Sequence, residues 1–242
     1  MPACLRISVW SGPRNVSTAL MYAFGQRRDT QAIDEPFYGH YLRVTGADHP
    51  GAVEVMRAME CQAEKVIETI ILGPCGRPVL FLKNMAHHLV EMEWDFLDRL
   101  VNVLLIREPK EMLPSLAQNL ARPTLRDTAY KTQVELLERL VERGQPPPVL
   151  EARELLLNPR SVLQQLCRQI GLSFDEAMLH WPAGPKPEDG VWARYWYESV
   201  HESTGFLPYR PKRDPFPESL RPLLEECQPY YDRLAQYAIK AE

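Results

Sequence analysis

The stretch LRISVWSGPRNVSTALMYAFGQ, residues 5–26, decides the fold. Residues 5–10 are rich in apolar and β-prone side chains, as a buried strand requires. Ser11, Gly12 and Pro13 end that run, and apolar residues then recur at helical spacing over 16–26. Such a turn presents backbone N–H groups and the positive end of a helix dipole to an anion. Arg14 adds a fork of donors, and Ser17 and Thr18 add hydroxyls in the first helical turn. Simple helix capping by Asn15 or Ser17 is the plainer alternative. The second glycine and the lysine of a Walker A loop are absent.

Outward from this stretch the alternation repeats. Strand-like runs lie at 31–34, 79–83, 101–106 and 149–152, and helical periodicity follows at 53–72, 89–100, 110–120 and 161–170. Two further helices are expected at 130–143 and 218–238. Strands separated by helices form βαβ units with right-handed crossovers. The expected architecture is α/β: three layers around a central, mostly parallel sheet of about five strands. A length of 242 residues suits one domain, with 182–242 as a Pro-rich cover and a terminal helix. In parallel sheets ligands bind beyond the carboxyl ends of the strands.

Composition sets the limits. The chain is 45% apolar and 25% charged, as soluble globular proteins are. A net charge of −4 provides no global field for nucleic acid or an anionic membrane. No run approaches the roughly 18 apolar residues of a membrane span, and the first residues lack a signal-peptide pattern. The five cysteines are scattered without a C-x-x-C pair. That argues against a zinc site and a disulfide framework, and for small core or surface thiols in a reducing cytoplasm.

The fourth run ends Leu104-Leu105-Ile106-Arg107-Glu108-Pro109, with Ser115 one to two helical turns on. A P-loop hydrolase would usually hold Mg²⁺ there with an aspartate. An arginine instead points to an anion site without metal, unless Arg107 merely pairs with Glu108 or Glu111. Arg14 and Arg107 with hydroxyl partners fit a ligand carrying two separated phosphates.

At these residues the chain resembles the P-loop sulfotransferase superfamily. SGPRNVST resembles its 5′-phosphosulfate loop, and LLIREPKEMLPS its 3′-phosphate motif. The resemblance implies 3′-phosphoadenosine 5′-phosphosulfate (PAPS) as donor and PAP as product. It places Gly12, Pro13, Arg14, Asn15, Ser17 and Thr18 on the phosphosulfate, and Arg107 and Ser115 on the 3′-phosphate. Asp34-Glu35-Pro36-Phe37 resembles the E-P segment of carbohydrate-type members, and Phe81-Leu82-Lys83-Asn84 a strand end that carries Lys-x-His in cytosolic members. Residues 149–174 resemble the family's late strand, loop and helix. KPEDGVW at 186–192 resembles the loop over the nucleotide, which brings in Lys186, Gly190 and Trp192. Met85 stands where the cytosolic histidine would fall, and Arg14 where those members carry lysine.

Sulfuryl transfer needs positioning, neutralisation of the leaving phosphate and a base for the acceptor proton. Arg14 and the loop amides can neutralise. Lys83 suits the sulfuryl oxygens, or is a strand-end surface lysine. The base candidates are Glu35, His87, His88 and His40, with Glu35 preferred over His88; a surface carboxylate or cap for Glu35, and capping or core packing for His87 and His88, are the structural alternatives. His49, His180 and His201 read as structural or solvated. Trp192, Tyr195, Trp196 and Tyr197 read as core packing or an acceptor wall, with Tyr38 and Tyr41 on the acceptor side. The expected function is metal-independent transfer of a sulfuryl group to a small soluble acceptor. A nucleotide kinase or hydrolase, and a non-catalytic PAP-binding protein, are the rival classes.

Overall fold

The computed structural model describes residues 4–211 and 214–242. Along the chain run β1 (Leu5–Ser11), α1 (Ser17–Gly25), β2 (Thr30–Asp34), α2 (Tyr38–Thr45), α3 (Ala52–Ala58), α4 (Ala63–Val66), β3 (Val79–Met85) and β4 (Val101–Ile106). Then follow α5 (Pro109–Leu116), α6 (Leu125–Thr128), α7 (Tyr130–Glu142), β5 (Val149–Glu151), α8 (Ala152–Leu157), α9 (Pro159–Gln169), α10 (Ala193–Trp196), α11 (Glu198–His201) and α12 (Arg221–Ala235). The sheet has the order β2-β3-β1-β4-β5 and is parallel. All five strand-like runs are strands. Among the described residues no helix is long and apolar enough to cross a membrane.

Two helices expected from periodicity are not continuous. The segment 53–72 breaks into α3, α4 and a π-helical turn at Ile67–Ile71. At the break the Glu60 carboxylate accepts from the amides of Cys61 and Gln62, taking donors that a helix would use. The segment 89–100 forms only a 3₁₀ turn, Asp95–Arg99, after another at Ala86–His88. Glu91 sits in left-handed conformation (φ 46°), which no continuing α-helix accepts.

The reading of all five cysteines as thiols is also corrected. Cys4 and Cys75 form a disulfide, while Cys61, Cys167 and Cys227 are free. The pair is 71 residues apart in sequence. It meets because β1 and β3 are neighbours in the sheet, and the Leu5 amide donates to the Pro78 carbonyl at 2.9 Å.

The chain divides into two compact units. The first comprises residues up to Val9, Ser17–Asn102 and Asp175–Phe206; the second Trp10–Val16, Val103–Phe174 and Leu207–Glu242. The Pro-rich cover is therefore split between them at 206–207. In the first unit Ile7, Leu20, Phe24, Phe81 and Leu82 are fully buried, and the rings of Phe24 and Phe81 stack at 4.3 Å. Register pairs Asp34 with Lys83 at the carboxyl ends of β2 and β3. In the second unit Leu105, Leu137, Leu150, Leu163 and Leu234 form the core. There the Gln133 amide donates to the carbonyls of Trp10 and Leu105 at 2.9 and 3.0 Å, joining α7 to two strand ends.

Candidate active site

In the second unit the loop after β1 is shaped by its neighbours. A Cβ at Gly12 would lie 2.9 Å from the Thr128 carbonyl oxygen, so only glycine fits without a shift. Asn15 accepts from the Val16 amide and donates its own amide to Leu105 O at 3.1 Å, so it anchors the loop. Arg14 has a positive φ of 52°, a conformation costing a non-glycine residue on the order of 1–2 kcal/mol. Its Nε donates to Ser115 Oγ at 3.0 Å, and its carbonyl accepts from Arg107 Nη1 at 2.8 Å. Arg14, Arg107 and Ser115 thus form one cluster. Burial, and then the charge of Arg107, lowers the Arg14 pKa below its ordinary value. The Arg107–Glu111 pair is confirmed only as a loose one: Nε lies 3.6 Å from Oε2, while Glu111 also accepts from the Tyr209 hydroxyl. The cluster thus holds two half-buried guanidinium groups and one loose ion pair, that of Arg107 with Glu111, a standing excess of positive charge.

In the first unit Ser17 opens α1 and is buried, with Thr18 half-buried beside it. Neither hydroxyl has a hydrogen bond among the described residues. Glu35 follows β2, is 8% exposed, and also has positive φ, 38°. Its amide donates to the Lys83 carbonyl at 2.8 Å, extending the strand pairing by one bond. The Lys83 ammonium, 1% exposed, donates to Asp34 Oδ1 (2.8 Å), Glu35 Oε1 (2.6 Å) and the Tyr197 hydroxyl (2.5 Å). Burial disfavours its charge, but Asp34 and Glu35 outweigh that and raise its pKa above the usual lysine value. Burial raises the Glu35 pKa, and Lys83 opposes it. A surface role for Lys83 or Glu35 is therefore excluded.

The histidines fall out differently. His40 contacts the Val90 carbonyl through Nε2 at 2.8 Å and Arg43 through Nδ1 at 3.4 Å, which makes it structural. His88 is 2% exposed and stacks on Tyr38 and Tyr41, at 5.1 and 4.6 Å between centroids. Burial first, and the charge of His87 next, hold its pKa well below the ordinary histidine value. His87 is half-buried and edge-on to Tyr41. Neither starts an α-helix; both lie in the 3₁₀ turn Ala86–His88.

In the loop 186–192, Lys186 spends its ammonium on the carbonyls of Pro182 and Gly184, both at 2.6 Å. Gly190 is required sterically, since a Cβ would fall 2.2 Å from the Trp192 ring. Trp192 is buried, and its indole N–H donates to the Tyr197 hydroxyl at 3.2 Å.

Comparison with known proteins then fixes the family. A sulfotransferase domain model matches residues 5–238. The chain belongs to the sulfotransferase family. It is 40% identical over 234 residues, 96% of its length, to branched-chain-amino-acid aminotransferase-like protein 1 of Arabidopsis thaliana, and 38% identical over 229 residues, 94% of its length, to the like-named protein 2. It spans only 42% and 41% of those relatives. The fold is similar to the sulfotransferase domain of the Synechococcus PCC 7002 olefin synthase (TM-score 0.56, 17% identity, 93% of this chain and 94% of that one). It is also similar to the sulfotransferase domain of the curacin biosynthetic pathway (TM-score 0.52, 17% identity, 98% of each chain).

Within this sulfotransferase domain two residues of the candidate site escape a reading of the sequence. Asp34 was visible only as the residue before Glu35, yet the β2–β3 register sets it opposite Lys83. Tyr197 lay in an aromatic cluster at helical spacing, which reads as core packing or an acceptor wall. Its hydroxyl donates to Asp34 Oδ2 at 2.7 Å, a long-range contact that no local pattern encodes.

Proposed function

We propose that this sulfotransferase moves the sulfuryl group of PAPS to a hydroxyl or amine of a small soluble acceptor, in line and without a metal. The observation that carries the reading is the cationic cluster of Arg14 and Arg107 with Ser115, built on the loop and on the end of β4. Two guanidinium groups drawn together against their own repulsion suit a dianionic phosphate, which would replace repulsion by charge-assisted hydrogen bonds. Arg107 and Ser115 hold the 3′-phosphate. The loop 12–18 holds the phosphosulfate with its amides, while Arg14, engaged with Ser115, serves the 3′-phosphate as well. Lys186, Gly190 and Trp192 belong to the nucleotide-side loop.

The acceptor oxygen or nitrogen forms the new bond to sulfur as the bond from sulfur to the 5′-phosphate oxygen breaks. The leaving electron pair stays on PAP, and the acceptor proton passes to Glu35. A buried carboxylate with a raised pKa suits that role better than His88, whose pKa is pushed far down. His87 remains the alternative base, and a cytoplasmic location remains part of the proposal. The test is thermal stability with PAP, ADP, Mg-ATP or buffer. A ligand of the native state alone raises stability by about 2.7 kcal/mol at 100 Kd. PAP is expected to give the largest shift; a shift with Mg-ATP and none with PAP overturns the reading.

A further inference from the structure

We infer that Tyr197 is a positioning residue: its hydroxyl closes a buried clamp on Lys83 and Asp34 that sets the proton affinity of Glu35. The inference rests on the reading of Glu35 as the base. The geometry is closed around the ammonium. Lysine has three N–H donors, and here they meet Asp34, Glu35 and Tyr197. None is left for a sulfuryl oxygen while the clamp holds.

The Tyr197 hydroxyl is equally saturated. It accepts from Lys83 and from the Trp192 indole, and donates to Asp34 Oδ2 at 2.7 Å. Burial, then Asp34 and Glu35, keeps it protonated and so a donor. Asp34 Oδ2 also receives the Gly190 amide at 3.4 Å. The segment Gly190–Tyr197 is therefore tied to the carboxylates by a backbone amide and a hydroxyl.

One cation serves two carboxylates in this buried place, and the share that each receives decides which binds a proton. By donating to Asp34, Tyr197 satisfies part of that charge and leaves more of Lys83 to Glu35. Without the hydroxyl, Asp34 draws Lys83 to itself, and Glu35 holds its proton to higher pH. The groups facing Glu35 are Asp34 from β2, Lys83 from β3, Tyr38 from α2 and Tyr197 after α10. Of these only Tyr197 can be altered without changing a formal charge near the base or the wall beside His88.

The experiment is a titration of the Glu35 carboxyl by ¹³C NMR, assigned with Glu35→Gln, in wild type and in Tyr197→Phe. It needs neither donor nor acceptor. The midpoint in Tyr197→Phe is expected to rise by about one pH unit, the worth of one hydrogen bond in a charged network. An unchanged or lower midpoint overturns the clamp. Trp192→Phe, which removes the indole donor that polarises the hydroxyl, should move the midpoint the same way by less. If Tyr197→Phe does not fold, an unmoved midpoint in Trp192→Phe overturns the inference by itself. PAP stabilisation, measured on the wild type because Trp192 belongs to the nucleotide-side loop, separates the two ideas. A moved midpoint without PAP binding sinks the sulfuryl-transfer reading and leaves the clamp, whereas PAP binding with a fixed midpoint does the reverse.

Discussion

In the second unit the two neighbouring guanidinium groups, Arg14 and Arg107, have one loose ion pair, Arg107 to Glu111 at 3.6 Å, whereas in the first one ammonium serves two carboxylates at 2.8 and 2.6 Å. The first arrangement is short of negative charge and half-open; the second is short of positive charge and closed. A cluster of the first kind binds an anion, because a phosphate brings what is missing. A cluster of the second kind binds a proton, because protonating one carboxylate restores the balance. Both rest on a strained residue that follows a strand, Arg14 at φ 52° and Glu35 at φ 38°. Among the described residues only Glu91 and Ala129 otherwise have positive φ without being glycine. Such strain persists where surrounding contacts over-determine the backbone, and it concentrates at functional sites.

The largest effect should come from the proton-binding cluster. Once an acceptor is known, Glu35→Gln is expected to lower kcat by about 10²–10⁴, while His88→Asn stays within a few-fold of wild type. Both variants should still bind PAP. The activity of wild type should rise with pH through a midpoint above the ordinary glutamate range, because burial raises the Glu35 pKa and only the ionised form accepts a proton. If His88→Asn shows the loss and Glu35→Gln does not, the comparison breaks on the side of the histidines.

The anion cluster should respond next most strongly. Arg107→Ala is expected to weaken PAP binding roughly ten- to hundredfold while changing AMP, which lacks the 3′-phosphate, much less. Calorimetry with both ligands reads the difference. Equal losses would make Arg107 a support for the Arg14 carbonyl and nothing more.

These clusters were unequally legible in the sequence. Arg14 and Arg107 are each read from a strand followed by a polar turn, a local pattern, and the sheet rule brings strand ends to one edge. Glu35 and Lys83 were legible in the same way. Their mutual contact was not, since it depends on the register of β2 against β3. Tyr197 lies 114 residues from Lys83, and aromatic spacing alone cannot tell a packed ring from a hydroxyl that holds a lysine. The same limit hid the disulfide, and it let the periodic stretch 53–72 pass for one helix when the Glu60 side chain ends the first of its pieces.

Glu151 supplies a control for the use of a raised pKa as a sign of function. Burial pushes its carboxyl up to about 7, yet its side chain accepts from the Glu154 amide and caps α8. It is a structural acid. Between the ordinary 4.5 and about 7 the folded state holds a proton there that the unfolded chain has lost, so stability from this group falls as pH rises through that window. Glu151→Gln should therefore melt like wild type near pH 4 and gain about 1–3 kcal/mol above pH 7, with turnover unchanged. Scanning calorimetry across that range decides it. Lost turnover would erase the distinction drawn between Glu151 and Glu35.

The smallest expected effect is that of removing divalent cations. A Mg²⁺ ion beside the phosphates would need a carboxylate at the strand end, and the residue that follows β4 is instead Arg107, whose guanidinium donates to Arg14 O. Two positive groups already occupy that place, so a dication would be repelled where the phosphate is attracted. PAP affinity in EDTA and in millimolar Mg²⁺ should then agree within about twofold, well under the 1.4 kcal/mol of a tenfold change. A tenfold loss in EDTA would mean that the cationic cluster does not neutralise the phosphate by itself. The second unit would then work as a metal-assisted phosphate site of the kinase class, and the contrast between an anion-binding and a proton-binding cluster would fail at its better-supported half.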